Sequence, residues 1–266
     1  MDNANAPDGT AFDVTGNRNN HTLALIHGLG LSRSFWQPYV KSLSQHYCVV
    51  NYDLYGHGDS APFPTNTSLQ VYANQLANLL DHLSMEHVSI IGFSIGGMIN
   101  RRFALDYPHK VSSLVILNSP HERGEKAQKQ VEARAATVGT TGAMATLDDA
   151  LVRWFTPAYR AQNASSLNSV RRWREQADAE SYAQAAWVLA NGVRELIAPT
   201  PPISAPTLVM TSENDSGSTP AMSVSIAGEI NNAKLIVVPA LQHLGLMENS
   251  EAFINPIMTF LNEHLN

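Results

Sequence analysis

The sequence predicts an α/β protein of three layers, in which helices cover both faces of a mostly parallel sheet and a helical insertion is added. Three observations predict this fold class. Short apolar runs bounded by turn residues alternate with amphipathic segments along the chain. These runs lack the apolar–polar alternation of half-exposed strands, which indicates burial on both faces. One long stretch contains no strand-like sequence.

Six segments are predicted as strands and four as helices. The predicted strands are Leu23–Ile26, Cys48–Tyr52, Val88–Phe93, Leu114–Leu117, Thr207–Met210 and Leu235–Val238. The predicted helices are Phe35–Leu43, Leu69–Leu83, Gly97–Asp106 and Ala252–Leu261. Strands that alternate with helices favour parallel pairing.

The alternation stops after Asn118. From His121 to Ile197 the sequence is rich in Ala, Arg and Glu and has no convincing strand. The proline-rich segment 198–202 marks the end of this stretch, because each proline removes a backbone donor and disfavours helix at the residue before it. We therefore predict a core domain of residues 1–120 and 198–266 and a helical cap of residues 121–197.

The charge pattern argues against nucleic-acid binding. The 266 residues include 17 Lys and Arg against 23 Asp and Glu, giving a net charge of −6 without any basic run. Residues 121–197 hold 10 Lys and Arg and 9 Asp and Glu, so the negative charge belongs to the predicted core domain.

The single cysteine excludes a disulfide framework, an iron–sulfur cluster and a thiolate zinc site. Cys48 lies in an apolar strand, where a small buried side chain is a better interpretation than a nucleophile. No two histidines have helical or zinc-finger spacing, so neither a metal nor a cofactor is predicted.

The amino-terminal residues have neither the basic nor the apolar segment of a secretory signal. The longest aliphatic run, Leu114–Leu117, is far shorter than the ~20 residues of a membrane span. A cytoplasmic protein without membrane association is expected.

The candidate nucleophile is Ser94, in the motif Gly-Phe-Ser-Ile-Gly-Gly of residues 92–97. The motif lies between a predicted strand and a predicted helix, where Gly-x-Ser-x-Gly forms a sharp turn that exposes the serine hydroxyl. Gly92 and Gly96 allow close approach of neighbouring backbone. The free N–H groups at the start of the helix point at a developing oxyanion.

Two other motifs follow predicted strands. The sequence His-Gly-Leu-Gly at residues 27–30 forms a turn that would place a second backbone donor beside Ser94. The sequence Asp-Leu-Tyr-Gly-His-Gly-Asp-Ser at residues 53–60 is predicted to form a tight structural loop beside it.

In this order the three motifs resemble those of the α/β-hydrolase superfamily, and the resemblance covers essentially the whole chain. It implies the three-layer α/β-hydrolase fold and a triad in the chain order nucleophile, acid, histidine. The segment 211–220 resembles the Gly-x-x-Asp-x-x-x-x-Pro loop of the family, with Ser212 at the glycine position. That matches the acid to Asp215, with Glu213 as the rival. Some relatives carry the acid one strand earlier, where this chain has Asn118.

The histidine implied by the resemblance is His243, chosen from ten. It follows the strand Leu235–Val238 and begins a stretch similar to the His-x-x-x-x-Glu pattern of the family, ending at Glu248. His121 lies just past a strand end on the same rim and is the competitor.

These parts predict acyl transfer to water. His243 would accept the Ser94 proton, and Asp215 would fix the imidazole tautomer. The backbone N–H groups of Leu29 and Ile95 would bind the oxyanion.

The substrate is suggested by three pieces of the insertion, Arg153–Tyr159, Arg171–Arg172 and Ser181–Ala183, which are similar to the cap of 3-oxoadipate enol-lactonases. The resemblance implies hydrolysis of a small ester or lactone, with Trp154 and arginines lining the pocket. Phe93 is a further pocket candidate.

Alternatives to these interpretations stay open. Packing between helices is favoured for Trp154, Trp173 and Trp187. The same triad also serves carbon–carbon bond hydrolases of ring-cleavage products and perhydrolase or haloperoxidase-like enzymes. A ligand-binding protein without activity and a cofactor-free oxygenase are the remaining alternatives.

Overall fold

A computed structural model describes residues 4–64 and 66–265, which are built on an eight-stranded sheet. The strands are β1 (Ala4–Asn5), β2 (Ala11–Thr15), β3 (Thr22–Ile26), β4 (Cys48–Tyr52), β5 (Val88–Phe93), β6 (Val111–Leu117), β7 (Thr207–Ser212) and β8 (Lys234–Val238). Their order across the sheet is β1-β2-β4-β3-β5-β6-β7-β8. Pairing is antiparallel at β1–β2 and β2–β4 and parallel from β4 to β8.

The connections between strands are mostly helical. The helices are α1 (Gln37–Leu43), α2 (Leu69–His82), α3 (Ile95–Asp106), α4 (Glu125–Thr141), α5 (Leu147–Trp154), α6 (Pro157–Gln162), α7 (Ala164–Gln176), α8 (Ala179–Asn191), α9 (Pro220–Gly228), α10 (Gly245–Glu248) and α11 (Glu251–Leu265). Short 3-10 turns cover Arg33–Trp36, Pro108–Lys110, Ala143–Thr146 and Gly192–Leu196. None of the helices in the described ranges is long and apolar enough to cross a bilayer.

The central strands contribute to two buried layers at once. Successive strand side chains point to opposite faces, so Ala24 and Ile26 of β3 belong to the cluster that includes α2 and α3. Leu23 and Leu25 belong to the cluster that includes α1 and α11. All four are fully buried. Burial on both faces explains the continuous apolar runs, and the predicted three-layer α/β fold is confirmed.

The sequence does not predict β1, β2 or α9. The apolar sequence of β2 is broken by the acidic Asp13, whose Oδ2 accepts a hydrogen bond from Arg33 Nε at 2.9 Å. Helix α9 does carry a start signal, since Thr219 is its N-cap and Pro220 its first residue. A threonine–proline pair at the end of the predicted acid loop is therefore a usable sign of this helix.

One expectation about the sheet is wrong. The apolar run Leu235–Val238 is predicted to be buried on both faces, but Leu235 is 36% and Val237 41% exposed. Strand β8 is the last in the sheet order, and among the described residues it pairs only with β7. A run of valine and leucine therefore does not distinguish an edge strand from a central one.

The chain between β6 and β7 forms helices α4 to α8. This segment contacts the loops after β3 and β4, because the N–H of Asp178 donates to the Gly56 carbonyl at 2.9 Å. A Cβ at Gly30 would lie 2.9 Å from the Tyr182 ring. The predicted ranges 1–120 and 198–266 include residues 1–3, 65 and 266, which lie outside the described residues.

Candidate active site

Ser94 occupies a strained turn between β5 and α3. Its backbone has φ 57° and ψ −114°, a conformation that costs a non-glycine residue about 1–3 kcal/mol. The turn needs glycine on both sides, because a Cβ at Gly92 would collide with the Gly96 carbonyl and one at Gly96 with the Ile26 carbonyl. The Ser94 N–H donates to the Leu117 carbonyl at 2.9 Å, which fixes the turn against β6.

Asp215 and His243 form a buried pair. His243 Nδ1 donates to Asp215 Oδ2 at 2.6 Å, and Asp215 is 2% exposed. Asp215 Oδ1 accepts from the N–H groups of Gly217 at 2.8 Å and Ser218 at 2.9 Å. With its proton on Nδ1, the His243 ring leaves Nε2 as the nitrogen that can accept a proton.

The rival acid, Glu213, and the rival histidine, His121, both lie apart from this pair. Glu213 is exposed, and its Oε2 accepts from the Ala240 N–H at 2.8 Å. His121 Nε2 lies 3.0 Å from Glu229 Oε1. The geometry therefore brings Asp215, and not Glu213, to the histidine that follows β8.

Asn118 is a residue of the site that sequence reasoning missed. Its Nδ2 donates to Asp215 Oδ2 at 3.1 Å, to Ser212 Oγ at 3.0 Å and to the His243 carbonyl at 3.1 Å. Asn118 thus joins the ends of β6 and β7 to the histidine loop. The sequence offered one sign of this role. Asn118 follows β6, where some relatives carry the acid, and its amide can donate hydrogen bonds that a carboxylate cannot.

Ser94, Asp215 and His243 line one cavity of about 150 Å³, together with Leu29, Phe93 and Trp154. Within residues 4–64 and 66–265, no hydrogen bond joins Ser94 to His243. One water molecule needs about 10–15 Å³ of such a cavity, so the cavity has room for a small organic molecule.

Hydrogen bonds to the Gly28 carbonyl fix the peptide between Gly28 and Leu29 in the loop after β3. The Gly28 carbonyl accepts from His27 Nδ1 at 2.8 Å and from the Leu31 N–H at 3.2 Å. Because a trans peptide points its C=O and N–H in opposite directions, these bonds turn the Leu29 N–H away from them. Leu29 lines the cavity. Ile95 is buried at the first residue of α3, where helix N–H groups have no partner in the preceding turn.

His27 is held neutral by its surroundings. Its side chain is fully buried, and burial lowers its pKa to about 4. Its Nε2 accepts from the Leu54 N–H at 3.0 Å, which leaves the proton on Nδ1. The neighbouring His57 is buried in the same way, and burial lowers its pKa to about 4 as well. Both rings therefore support the loop as neutral hydrogen-bonding groups at pH 7.

The aromatic candidates have different positions. The ring of Phe93 is centred 4.9 Å from that of His243, and the Trp154 ring 6.0 Å from it. Trp173 is partly buried and packs against the core cluster on the α11 side. Trp187 is 53% exposed, so the expectation that it packs between helices is wrong.

The chain resembles known proteins in sequence and in fold. The sequence pattern of the family described as alpha/beta hydrolase fold matches residues 22–250. The chain is 28% identical over 251 residues to 3-oxoadipate enol-lactonase 2 of Acinetobacter baylyi, covering 92% of each chain. It is also 28% identical over 222 residues to the (E)-2-((N-methylformamido)methylene)succinate hydrolase of the same organism, covering 84% of this chain and 83% of that one. The enol-lactonase structure from Burkholderia xenovorans superposes with a TM-score of 0.88 at 26% identity, covering 95% of this chain and 96% of that chain.

Proposed function

This chain belongs to the α/β-hydrolase fold family, and we propose that it is a serine hydrolase that cleaves a small carboxylic ester or lactone. Membership of a hydrolase family supports an enzyme acting on a small molecule. The observation that carries the finer proposal is the 2.6 Å contact between His243 Nδ1 and Asp215 Oδ2 in the cavity that Ser94 lines. Cofactor independence and a cytoplasmic location stay predictions from the sequence.

The first half of the reaction acylates Ser94. His243 Nε2 accepts the hydroxyl proton while Ser94 Oγ attacks the substrate carbonyl carbon, and the carbonyl oxygen becomes an oxyanion. Asp215 stabilises the imidazolium that forms. The N–H groups of Leu29 and Ile95 are the proposed oxyanion donors, and each such donor is typically worth about 3 kcal/mol of barrier.

Collapse of the tetrahedral intermediate then completes acylation: His243 gives its proton to the leaving alkoxide, which departs from an open ester or stays attached through the acyl chain of a lactone. The second half releases the acid. Water then loses a proton to His243 and attacks the acyl carbon, and the tetrahedral intermediate expels Ser94 Oγ. One water is consumed for each ester bond, and Ser94 is regenerated with its proton.

We also propose that residues 121–197 act as a cap over this chemistry, on a core of residues 1–120 and 198–266. Trp154, Arg174 and Tyr182 are among the residues of this segment that line the cavity with the proposed triad. The cap therefore supplies much of the wall that a substrate would meet, whereas the core supplies the reacting groups.

The relatives favour the ester or lactone interpretation. Two proteins named enol-lactonase, one compared by sequence and one by structure, cover more than nine-tenths of this chain. The succinate-derivative hydrolase is named for an (N-methylformamido)methylene group rather than for an ester or a lactone. The same fold hosts several bond cleavages, so the bond itself needs a direct test.

The test is hydrolysis of p-nitrophenyl butyrate and δ-valerolactone by the wild type and Ser94→Ala. We expect turnover in the wild type, loss of at least 1,000-fold in Ser94→Ala, and no change in Ser225→Ala, an exposed serine of α9. A fluorophosphonate probe should add to Ser94 in mass spectra of the wild type. Turnover that survives Ser94→Ala would contradict the proposal. Cleavage of a ring-cleavage dienoate without ester turnover would favour the carbon–carbon alternative.

A further inference from the structure

We propose that the cavity binds a free carboxylate of the substrate, with Arg174 as the residue that holds it. This proposal rests on the hydrolase function above and narrows its substrate class to esters or lactones that carry a second, unesterified carboxylate. The triad would act on one end of such a substrate while Arg174 holds the other.

The first argument is the charge of the cavity wall. Four arginines line it, at positions 123, 134, 153 and 174, whereas its one acidic residue, Asp215, is already paired with His243. Throughout the described ranges none of these four arginines forms an ion pair. The arginines that do form ion pairs are Arg33, Arg102, Arg171 and Arg194. A cavity next to the reacting groups therefore carries excess positive charge.

The second argument is the state of Arg174 itself. Arg174 is only 3% exposed, and its Nη2 donates to Thr146 Oγ1 at 2.7 Å. Nε and Nη1 are buried and donate to no atom of the described chain with standard geometry. Burial and the nearby Arg153 lower the pKa of Arg174, yet a guanidinium keeps its proton at neutral pH. A buried cation whose N–H donors lack partners destabilises the folded protein unless an anion pairs with it.

Two aromatic rings position this cation, and a side-chain hydrogen bond accompanies the contact with Tyr182. The Arg174 Cζ lies 4.9 Å from the centre of the Tyr182 ring and 5.8 Å from that of Trp154. Both distances fit cation–π contacts. The guanidinium is therefore positioned in advance, and its free donors suit the planar oxygen pair of a carboxylate.

The position of Arg174 also relates it to the triad. The Trp154 ring that contacts Arg174 is centred 6.0 Å from the His243 ring. Arg174 and the proposed base therefore both lie beside the Trp154 ring. Because Ser94 and Arg174 line the same cavity, the proposal places one end of a short dicarboxylate at Ser94 and the other at Arg174.

The other arginines are committed elsewhere. Arg123 donates to the carbonyls of Leu189 at 3.0 Å and Ala190 at 3.3 Å, so it ties the cap together. Arg153 donates to the Asp149 carbonyl at 3.0 Å within its own helix. Arg134 is exposed. Arg174 is the member of the four that combines burial with unused donors.

The experiment compares charged and neutral esters of matched shape. The monoethyl esters of succinic, glutaric and adipic acids are assayed by pH-stat, each against the ester in which an amide replaces the free carboxylate. We expect the wild type to favour at least one carboxylate ester over its amide by tenfold or more in kcat/KM. Arg174→Gln should remove that preference, and Arg174→Lys should retain part of it. Arg172→Gln, an exposed residue of the same helix α7, should keep it.

A binding measurement separates this proposal from the hydrolase proposal. Glutarate is titrated calorimetrically into Ser94→Ala and into Ser94→Ala with Arg174→Gln, and only the first should bind. Hydrolysis of esters with equal kcat/KM for the charged and neutral members would overturn the carboxylate site and leave the hydrolase. Binding of glutarate that depends on Arg174, without turnover of any ester, would support the carboxylate site and overturn the hydrolase proposal. The wild-type comparison of charged and neutral esters decides the matter even where an Arg174 variant fails to fold.

Discussion

Glu248 holds Thr156 with both of its carboxylate oxygens. Oε1 accepts from the Thr156 N–H at 2.7 Å, and Oε2 accepts from its hydroxyl at 2.6 Å. Beside this contact, the Leu244 N–H donates to the Trp154 carbonyl at 2.8 Å. The turn between α5 and α6 is therefore bound to the loop that carries His243, the histidine of the proposed triad.

Loss of this link should weaken catalysis by misplacing the histidine. We expect Glu248→Ala to lower kcat about tenfold, since small displacements of a catalytic group are costly. Thr156→Val, which keeps the N–H and loses the hydroxyl, should have a smaller effect. The measurement is steady-state ester hydrolysis, with Glu251→Ala, an exposed acid at the start of α11, as the control. A kcat equal to that of the wild type in Glu248→Ala would show that the link does not position the histidine.

Asn118 should matter because it orients the acid. Asn118→Ala removes the donor from Asp215 Oδ2, and we expect kcat/KM to fall about tenfold. Asn118→Asp places a second carboxylate beside Asp215 and should be worse than alanine, because like charges at this distance repel. Ester hydrolysis by both variants tests the order of these effects, with the exposed Asn255→Ala as the control. Activity in the aspartate variant above that of the alanine variant would refute the assigned role.

His27 should act on the oxyanion through the peptide that it holds. His27→Phe keeps an aromatic ring but removes the donor to the Gly28 carbonyl, which frees the Leu29 N–H to turn. We expect kcat to fall by up to about 100-fold with KM nearly unchanged, as for loss of an oxyanion donor. The exposed His46→Phe serves as the control. A change in KM alone, at a temperature where the variant is folded, would count against this role.

Acid should destabilise the fold through two histidines. His27 and His57 have folded pKa values of about 4, below the 6.5 expected when unfolded. Between these values the unfolded chain binds protons that the folded chain does not, so stability falls as pH decreases from 6.5 toward 4. Each histidine contributes a slope of up to about 1.4 kcal/mol per pH unit. Urea unfolding at pH 7, 6 and 5 measures the loss, and His57→Gln should reduce the slope.

The turn that carries Ser94 was predictable from the sequence because it follows local rules. Ser94 needs a strand, a glycine-flanked turn and a helix in immediate succession, and all three lie within residues 88–106. The strands around it are buried on both faces, so their apolar runs were equally visible. Strand β2 and helix α9 were missed because their sequences are short or mixed in polarity. The exposure of β8 was missed because it depends on the position of β8 at the edge of the sheet, where it pairs with β7 alone among the described strands.

The sequence by itself determined the α/β class, the order of the motifs and the residue types available for a triad, since strand and turn preferences act over a few neighbouring residues. Only the tertiary structure decided that Asp215 rather than Glu213 meets His243, that Asn118 joins them, and that Trp187 faces outward. It also decided that Arg174 is buried beside two aromatic rings with donors unused. These relationships join residues far apart in the chain, and burial and hydrogen bonding between such residues arise only when the chain is packed.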